Sequence, residues 1–185
     1  MQGIIIPSGI ISATCYFTMD QTTAYIALGS NRGDRRETIN KALNMLGESG
    51  SDNITIVRVS TLIETAPLGG PAGQDNYLNA VAEILSQTSA EQLLGIMQSV
   101  EDRLGRTRPQ KWASRTIDLD LILFGGRIID KPHLKVPHPL MHKRSFVMVP
   151  LVEIAPDLIH PVLGQTMREI LDSLQNPRRD KTNQI

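Results

Sequence analysis

Three observations predict an α+β fold built on an antiparallel sheet. Short apolar runs of strand length alternate with two longer runs whose apolar residues recur at helical spacing, in the order β-α-β-β-α-β. Glycine, proline or asparagine punctuates most of these runs. The 185 residues, 41% hydrophobic and 21% charged, are enough to bury one core without a disulfide or structural metal. This order is the ferredoxin-like split arrangement, followed here by a C-terminal hairpin and helix elaboration. One domain over residues 22–175 is expected, between an N-terminal extension over 1–21 and a frayed tail over 176–185. There is no internal repeat or linker.

Thr23 to Leu28 is short, apolar and closed by Gly29-Ser30-Asn31, which predicts a central buried strand. From Asp34, a candidate N-cap with Glu37 three residues on, Ile39, Leu43 and Leu46 fall at helical spacing. Ile54 to Ile63 is rich in β-branched residues, and Tyr77 to Leu85 carries Leu78, Ala80, Ala82 and Ile84 on one parity, so both are predicted strands. Between them runs the Gly/Pro-rich segment Thr65 to Asp75, too long for a minimal hairpin and therefore expected to be a working loop. A second helix follows Ser89, its stripe formed by Leu93, Leu94, Met97, Val100 and Leu104. Ile117 to Phe124 is a predicted strand, and Gly125-Gly126 predicts a two-residue hairpin turning it toward Arg127-Ile-Ile129. Helices are expected through Met148 to Val152 and from near Thr166.

With 19 basic and 19 acidic residues the chain has no global field to gather nucleic acid or an anionic membrane, so any anion must be held by a local cluster. A lone Cys15 points to a reducing cytosol and no thiol chemistry. Residues 1–18 are apolar but interrupted by Pro7 and Gly9, and they lack the basic start of a signal peptide. They are read as an extension upstream of Met19, with a genuine non-secretory arm as the competing reading.

Asp118 and Asp120 are two apart on a predicted strand, so their carboxylates share a face. Such a pair repels unless neutralised, and Mg²⁺ favours one or two protein carboxylates completed by phosphates and water. A strand with one polar face would carry the same residues, and on the pair alone that plainer reading is preferred; the context changes it. Just upstream, Arg103, Arg106, Arg108, Lys111 and Arg115 face only Glu101 and Asp102 and enclose Trp112, the single tryptophan. Arginine forks suit phosphate oxygens, and such a loop could close over a nucleotide. His138, between Pro137 and Pro139, and Arg144 are further candidate phosphate donors, while Phe146 reads first as core. The His138/His142 spacing is a poor zinc motif, without a glutamate base. No Gly-x4-Gly-Lys-Ser/Thr sequence or protein-kinase motif occurs, which excludes those two devices for holding ATP.

The strings Tyr25-Ile-Ala-Leu-Gly-Ser-Asn31, Glu64-Thr-Ala-Pro-Leu-Gly69, Tyr77-Leu-Asn79, Arg115 to Phe124, Val136-Pro-His-Pro139 and Pro150 to Pro156 together resemble the hydroxymethyldihydropterin pyrophosphokinase family, from about residue 23 to 172. That resemblance implies Mg²⁺-dependent transfer of pyrophosphate from ATP to the pterin hydroxymethyl group, giving AMP, in folate biosynthesis. It implies two Mg²⁺ ions on Asp118 and Asp120, and catalytic roles for these two with Arg106 and Arg115. Gln98, Glu101, Arg108, Trp112, Arg115, His138 and Arg144 match nucleotide positions, and Thr65, Pro67, Leu68, Tyr77, Asn79 and Phe146 match the pterin pocket. A cytoplasmic monomer is expected, with no nucleic-acid or membrane partner. Two positions depart from the family pattern: Trp112-Ala-Ser-Arg115 replaces the usual Trp-Gly-Pro-Arg turn, and Ala66 replaces a proline found in some relatives. A non-catalytic ferredoxin-like binding module and an inactive family member are the alternatives, and AMP formation would separate the enzyme from both.

Overall fold

A computed structural model describes residues 21–49, 53–69, 71, 73–105 and 114–176. Its elements run β1 (Thr22–Ser30), α1 (Arg35–Ser49), β2 (Ile54–Val59), β3 (Ile63–Thr65), β4 (Tyr77–Ser86), α2 (Ala90–Arg103), β5 (Asp118–Phe124), β6 (Ile129–Lys131), β7 (Leu134–Val136), a 3₁₀ turn (Met141–Lys143), α3 (Ser145–Ile154) and α4 (Met167–Gln175). The main sheet has the antiparallel order β2-β4-β1-β5, with β3 also paired to β4. The extension before residue 21 with Cys15, the tail after 176, and Arg106, Arg108, Lys111 and Trp112 lie outside the described residues. No helix among those described is long and apolar enough to cross a membrane.

Strand alternation gives the sheet two apolar faces. Ala24, Ile26, Leu28, Ala82, Ile84, Leu119 and Leu121 point to one side, where they pack with Ile39, Ala42 and Leu46 of α1 and Leu93, Met97 and Val100 of α2. The other face buries Tyr25, Val81, Ile122 and Leu123 against Met148 and Leu151 of α3 and Met167 and Ile170 of α4. A register shift opposite Tyr25 and Ile26 lets Ile122 and Leu123, adjacent in sequence, both serve this second face. The C-terminal helices thus cover part of the second face, and the functional cavity opens beside them.

Both central helices begin as their sequences indicate. Asp34 Oδ1 accepts from Glu37 N at 3.0 Å ahead of α1. Ser89 and Gln92 form a reciprocal capping box at α2, as do Thr166 and Glu169 at α4.

Two expectations need correction. The strand predicted over Ile54 to Ile63 is broken into β2 and β3, because the Ser60 side chain takes a backbone's place in the ladder. Its Oγ accepts from Val81 N at 3.0 Å. Thr61 is then drawn aside, donating from N and Oγ1 to Glu153 of α3 at 2.9 and 2.7 Å. The hairpin predicted at Gly125-Gly126 also fails to form. The turn closes through Arg127 N and Phe124 O at 3.1 Å, but β6 pairs with β7 in a separate ribbon. His138 N donates to Ile122 O at 2.9 Å, so the segment after β7, not β6, caps the outer edge of β5.

Candidate active site

The site is built on the register of three strands. Gly29 of β1 lies opposite Asn79 of β4 on one side and Asp118 of β5 on the other; Ala27 lies opposite Val81 and Asp120. Cross-strand partners share a face, so two very small residues on β1 leave an open floor between an amide and two carboxylates. A Cβ on Gly29 would stand 3.1 Å from Asn79 Oδ1, so the glycine makes room for that amide. The cavity above this floor has a volume of about 600 Å³. Thr65 to Gly69 and Tyr77 line it on one side, and His138, Leu140, Arg144 and Phe146 on the other.

Of the sequence-predicted residues, Arg115, Asp118, Asp120, His138 and Arg144 meet Thr65, Pro67, Leu68, Tyr77, Asn79 and Phe146 in this one cavity. Gln98 and Glu101 are not in its lining. Glu101 is 2% exposed, and its Oε1 accepts from Leu119 N at 2.7 Å, behind the strand that carries the carboxylates. Sequence reasoning did not single out Gln74, Leu140 or Asn31. Gln74 stands in the loop already marked as a working one, and Asn31 entered only as the end of the Gly-Ser-Asn turn that closes β1 and of one string in the resemblance.

Each carboxylate has a cationic neighbour. Arg115 Nη1 pairs with Asp118 Oδ2, and Arg144 Nη1 lies 3.9 Å from Asp120 Oδ2 while its guanidinium covers the Phe146 ring at 5.7 Å. Burial pulls the His138 imidazole below its ordinary value, opposed by the Asp120 carboxylate and assisted by Arg144. Its Nδ1 accepts from Leu140 N at 3.2 Å, so near neutral pH the ring is uncharged and carries its proton on Nε2. Burial raises the Tyr77 phenol, which stays protonated as a donor. Asn79 Nδ2 donates to Thr65 Oγ1 at 2.8 Å, fixing the amide's orientation.

Among the described residues no group of three or more His, Cys, Asp or Glu could hold a metal. A donor set of two carboxylates suits a hard divalent ion that completes its shell with phosphates and water, and it does not suit zinc. Chemically, the cavity offers an apolar, amide-edged compartment for a flat ring beside a carboxylate and guanidinium compartment for phosphates.

The family model described as 7,8-dihydro-6-hydroxymethylpterin-pyrophosphokinase (HPPK) matches residues 25–156, over two-thirds of the chain. The chain is 40% identical over 161 residues to a 2-amino-4-hydroxy-6-hydroxymethyldihydropteridine pyrophosphokinase of Haemophilus influenzae, covering 87% of this chain and 98% of that relative. Proteins of the same description from Bacillus subtilis and Pseudomonas aeruginosa are 43% and 42% identical, over 71% and 80% of this chain and 77% and 88% of theirs. Among solved structures, an HPPK-DHPS in complex with substrates aligns with a TM-score of 0.64 at 13% identity. The match covers 88% of this chain and 45% of that one, so at this identity the likeness speaks for the fold alone.

Proposed function

The chain belongs to the 7,8-dihydro-6-hydroxymethylpterin-pyrophosphokinase family, and from that premise we propose that its cavity transfers the β,γ-diphosphate of ATP to the hydroxymethyl oxygen of 6-hydroxymethyl-7,8-dihydropterin, releasing AMP in a step of folate synthesis. The enzyme is a pyrophosphokinase. The observation that carries the finer reading is the floor of the cavity. Asn79 and Asp118 flank Gly29 there, which sets a ring-edge amide and a metal-type carboxylate on either side of one residue.

The pterin ring lies between Phe146 and the Pro67–Leu68 wall, with Asn79, Thr65 and Tyr77 along its polar edge. Arg115, His138 and Arg144 bind the polyphosphate, His138 through its Nε2 proton. The nucleotide set extends to Gln98, Glu101, Arg108 and Trp112, and Arg106 joins Arg115 in stabilising charge on the transferring group; these assignments rest on the resemblance. In the described lining two guanidiniums are matched by two carboxylates, so the positive charge that a triphosphate needs would come from Arg106 and Arg108 together with bound cations. Two Mg²⁺ ions, held by Asp118 and Asp120, would be those cations and align the pterin oxygen with the β-phosphorus. The protein's contribution is then mainly position: the carboxylates are fixed by β5, and the arginines are free to exchange carboxylate for phosphate contacts.

The sheet order, with α1 and α2 on one face, supports the ferredoxin-like reading of the fold. Residues 22–175 form its domain, working as a cytoplasmic monomer. The deciding assay measures AMP from ATP and Mg²⁺ with and without the pterin, and Asp120→Ala as control. AMP that depends on pterin in the wild type and vanishes in the variant is expected. ATP binding without AMP would reduce the protein to a nucleotide-binding module.

A further inference from the structure

Gln74 sits in the loop between β3 and β4, half-buried at the edge of the cavity. Its Oε1 accepts from two different segments: Asn31 Nδ2 at the end of β1, at 3.2 Å, and Ser114 Oγ on the approach to β5, at 3.3 Å. Its Nε2 donates to Pro71 O in its own loop at 3.3 Å. Asn31, 1% exposed, uses the rest of its amide in the same junction. Its second N–H donates to Asp75 O at 3.2 Å, and its Oδ1 accepts from Arg115 N at 2.7 Å. The Asn31 backbone N donates in turn to Arg115 O at 3.1 Å. A continuous run of hydrogen bonds therefore leads from the loop walling the ring compartment, through Gln74, to the backbone of the arginine beside Asp118.

We propose that Gln74 is a positioning residue that couples the two substrate compartments. A carbonyl oxygen with both lone pairs engaged holds its two donors at a fixed separation. Loop movement on the ring side is transmitted through Asn31 and Ser114 to Arg115 on the phosphate side. Ser114 adds an arm through its hydroxyl, which donates the second bond to Gln74 Oε1. Such coupling is reciprocal: either substrate, by ordering its own side, raises the affinity for the other.

This inference rests on the proposed reaction and deepens it. The test measures the dissociation constant of 6-hydroxymethyl-7,8-dihydropterin with and without a non-cleavable ATP analogue and Mg²⁺. In Gln74→Ala the ratio of the two constants should fall about two- to tenfold from the wild-type value, the range for loss of one or two neutral hydrogen bonds. Gln74→Glu, which keeps the Oε1 acceptor, should retain more of the ratio. Ser114→Ala should lower it in part and add nothing in the double variant. An unchanged ratio in Gln74→Ala, or fully additive effects, would overturn the proposal. Hydrogen exchange at Arg115 N gives a readout that needs no substrate: faster exchange in Gln74→Ala supports the junction, and unchanged protection rejects it. Failure of the proposed reaction would show separately, as absence of AMP from the wild type.

Discussion

Glu101 shows how one side chain can serve the site without lining its cavity. Its carboxylate accepts the buried Leu119 N–H, and Leu119 is the residue between Asp118 and Asp120. Glu101→Ala should leave that donor without this acceptor, destabilising the protein by about 1–3 kcal/mol. Urea unfolding checks this; an unchanged midpoint would show the bond to be dispensable. The sequence made Asp118 and Asp120 legible because period-two alternation is a local property. Glu101 was legible only as part of a charge count and through the resemblance, since its partner is a backbone group 18 residues away. Gln74 and Asn31 were harder still, because neutral amides carry no pattern and gain meaning from neighbours that folding alone brings to them.

At the scale of elements, what the sequence signals well is the start of a helix. Ser89 Oγ accepts from Gln92 N at 3.2 Å and Gln92 Oε1 accepts from Ser89 N at 2.9 Å, both within one turn. Ser89→Ala should cost about 1 kcal/mol, seen as a lower thermal midpoint, with no change in the pterin dissociation constant because α2 packs on the face away from the cavity. A midpoint equal to the wild type would mean that water caps the helix as well. What the sequence signals poorly is where a strand stops or which edge it joins. The break at Ser60 depends on a hydroxyl meeting Val81, and the failed hairpin depends on His138 reaching Ile122. Both are decided by segments distant in the chain, so turn chemistry alone could not reveal them.

Across the whole molecule, stability and acidity are linked through histidines on the second face. His160 is 4% exposed; its Nδ1 accepts from Val162 N and Leu163 N, both at 3.2 Å, and its ring meets that of His142 edge-on at 6.1 Å. Burial first, then the neighbouring His142, lowers the His160 value; burial first, then Lys143, lowers that of His142. The unfolded chain takes up protons near the ordinary value of 6.5, whereas the folded one waits for a lower pH. In that interval the unfolded state holds more protons, so stability is full above 6.5 and is lost as pH falls through the lowered values. The thermal midpoint should therefore drop between pH 7 and pH 5, and by less in His160→Asn, whose amide oxygen can replace the Nδ1 acceptor. An equal drop in both proteins would exclude His160 as the source. The general architecture was legible at this scale because the order of periodic runs survives errors at their ends. The division of the second face between α3, α4 and the cavity was not, since apolar runs do not say which face they will cover.

Gly29 bears on how the protein could evade an inhibitor. A side chain there would press on the Asn79 amide, and the flanking strands leave little backbone freedom for the floor to reshape itself. Leu68, by contrast, is 66% exposed at the rim and could be exchanged for many other residues without disturbing the core. An antifolate seated against the floor between Asn79 and Asp118 would meet a surface with few viable escape mutations. One that gained its affinity by leaning on the rim would select resistance there first.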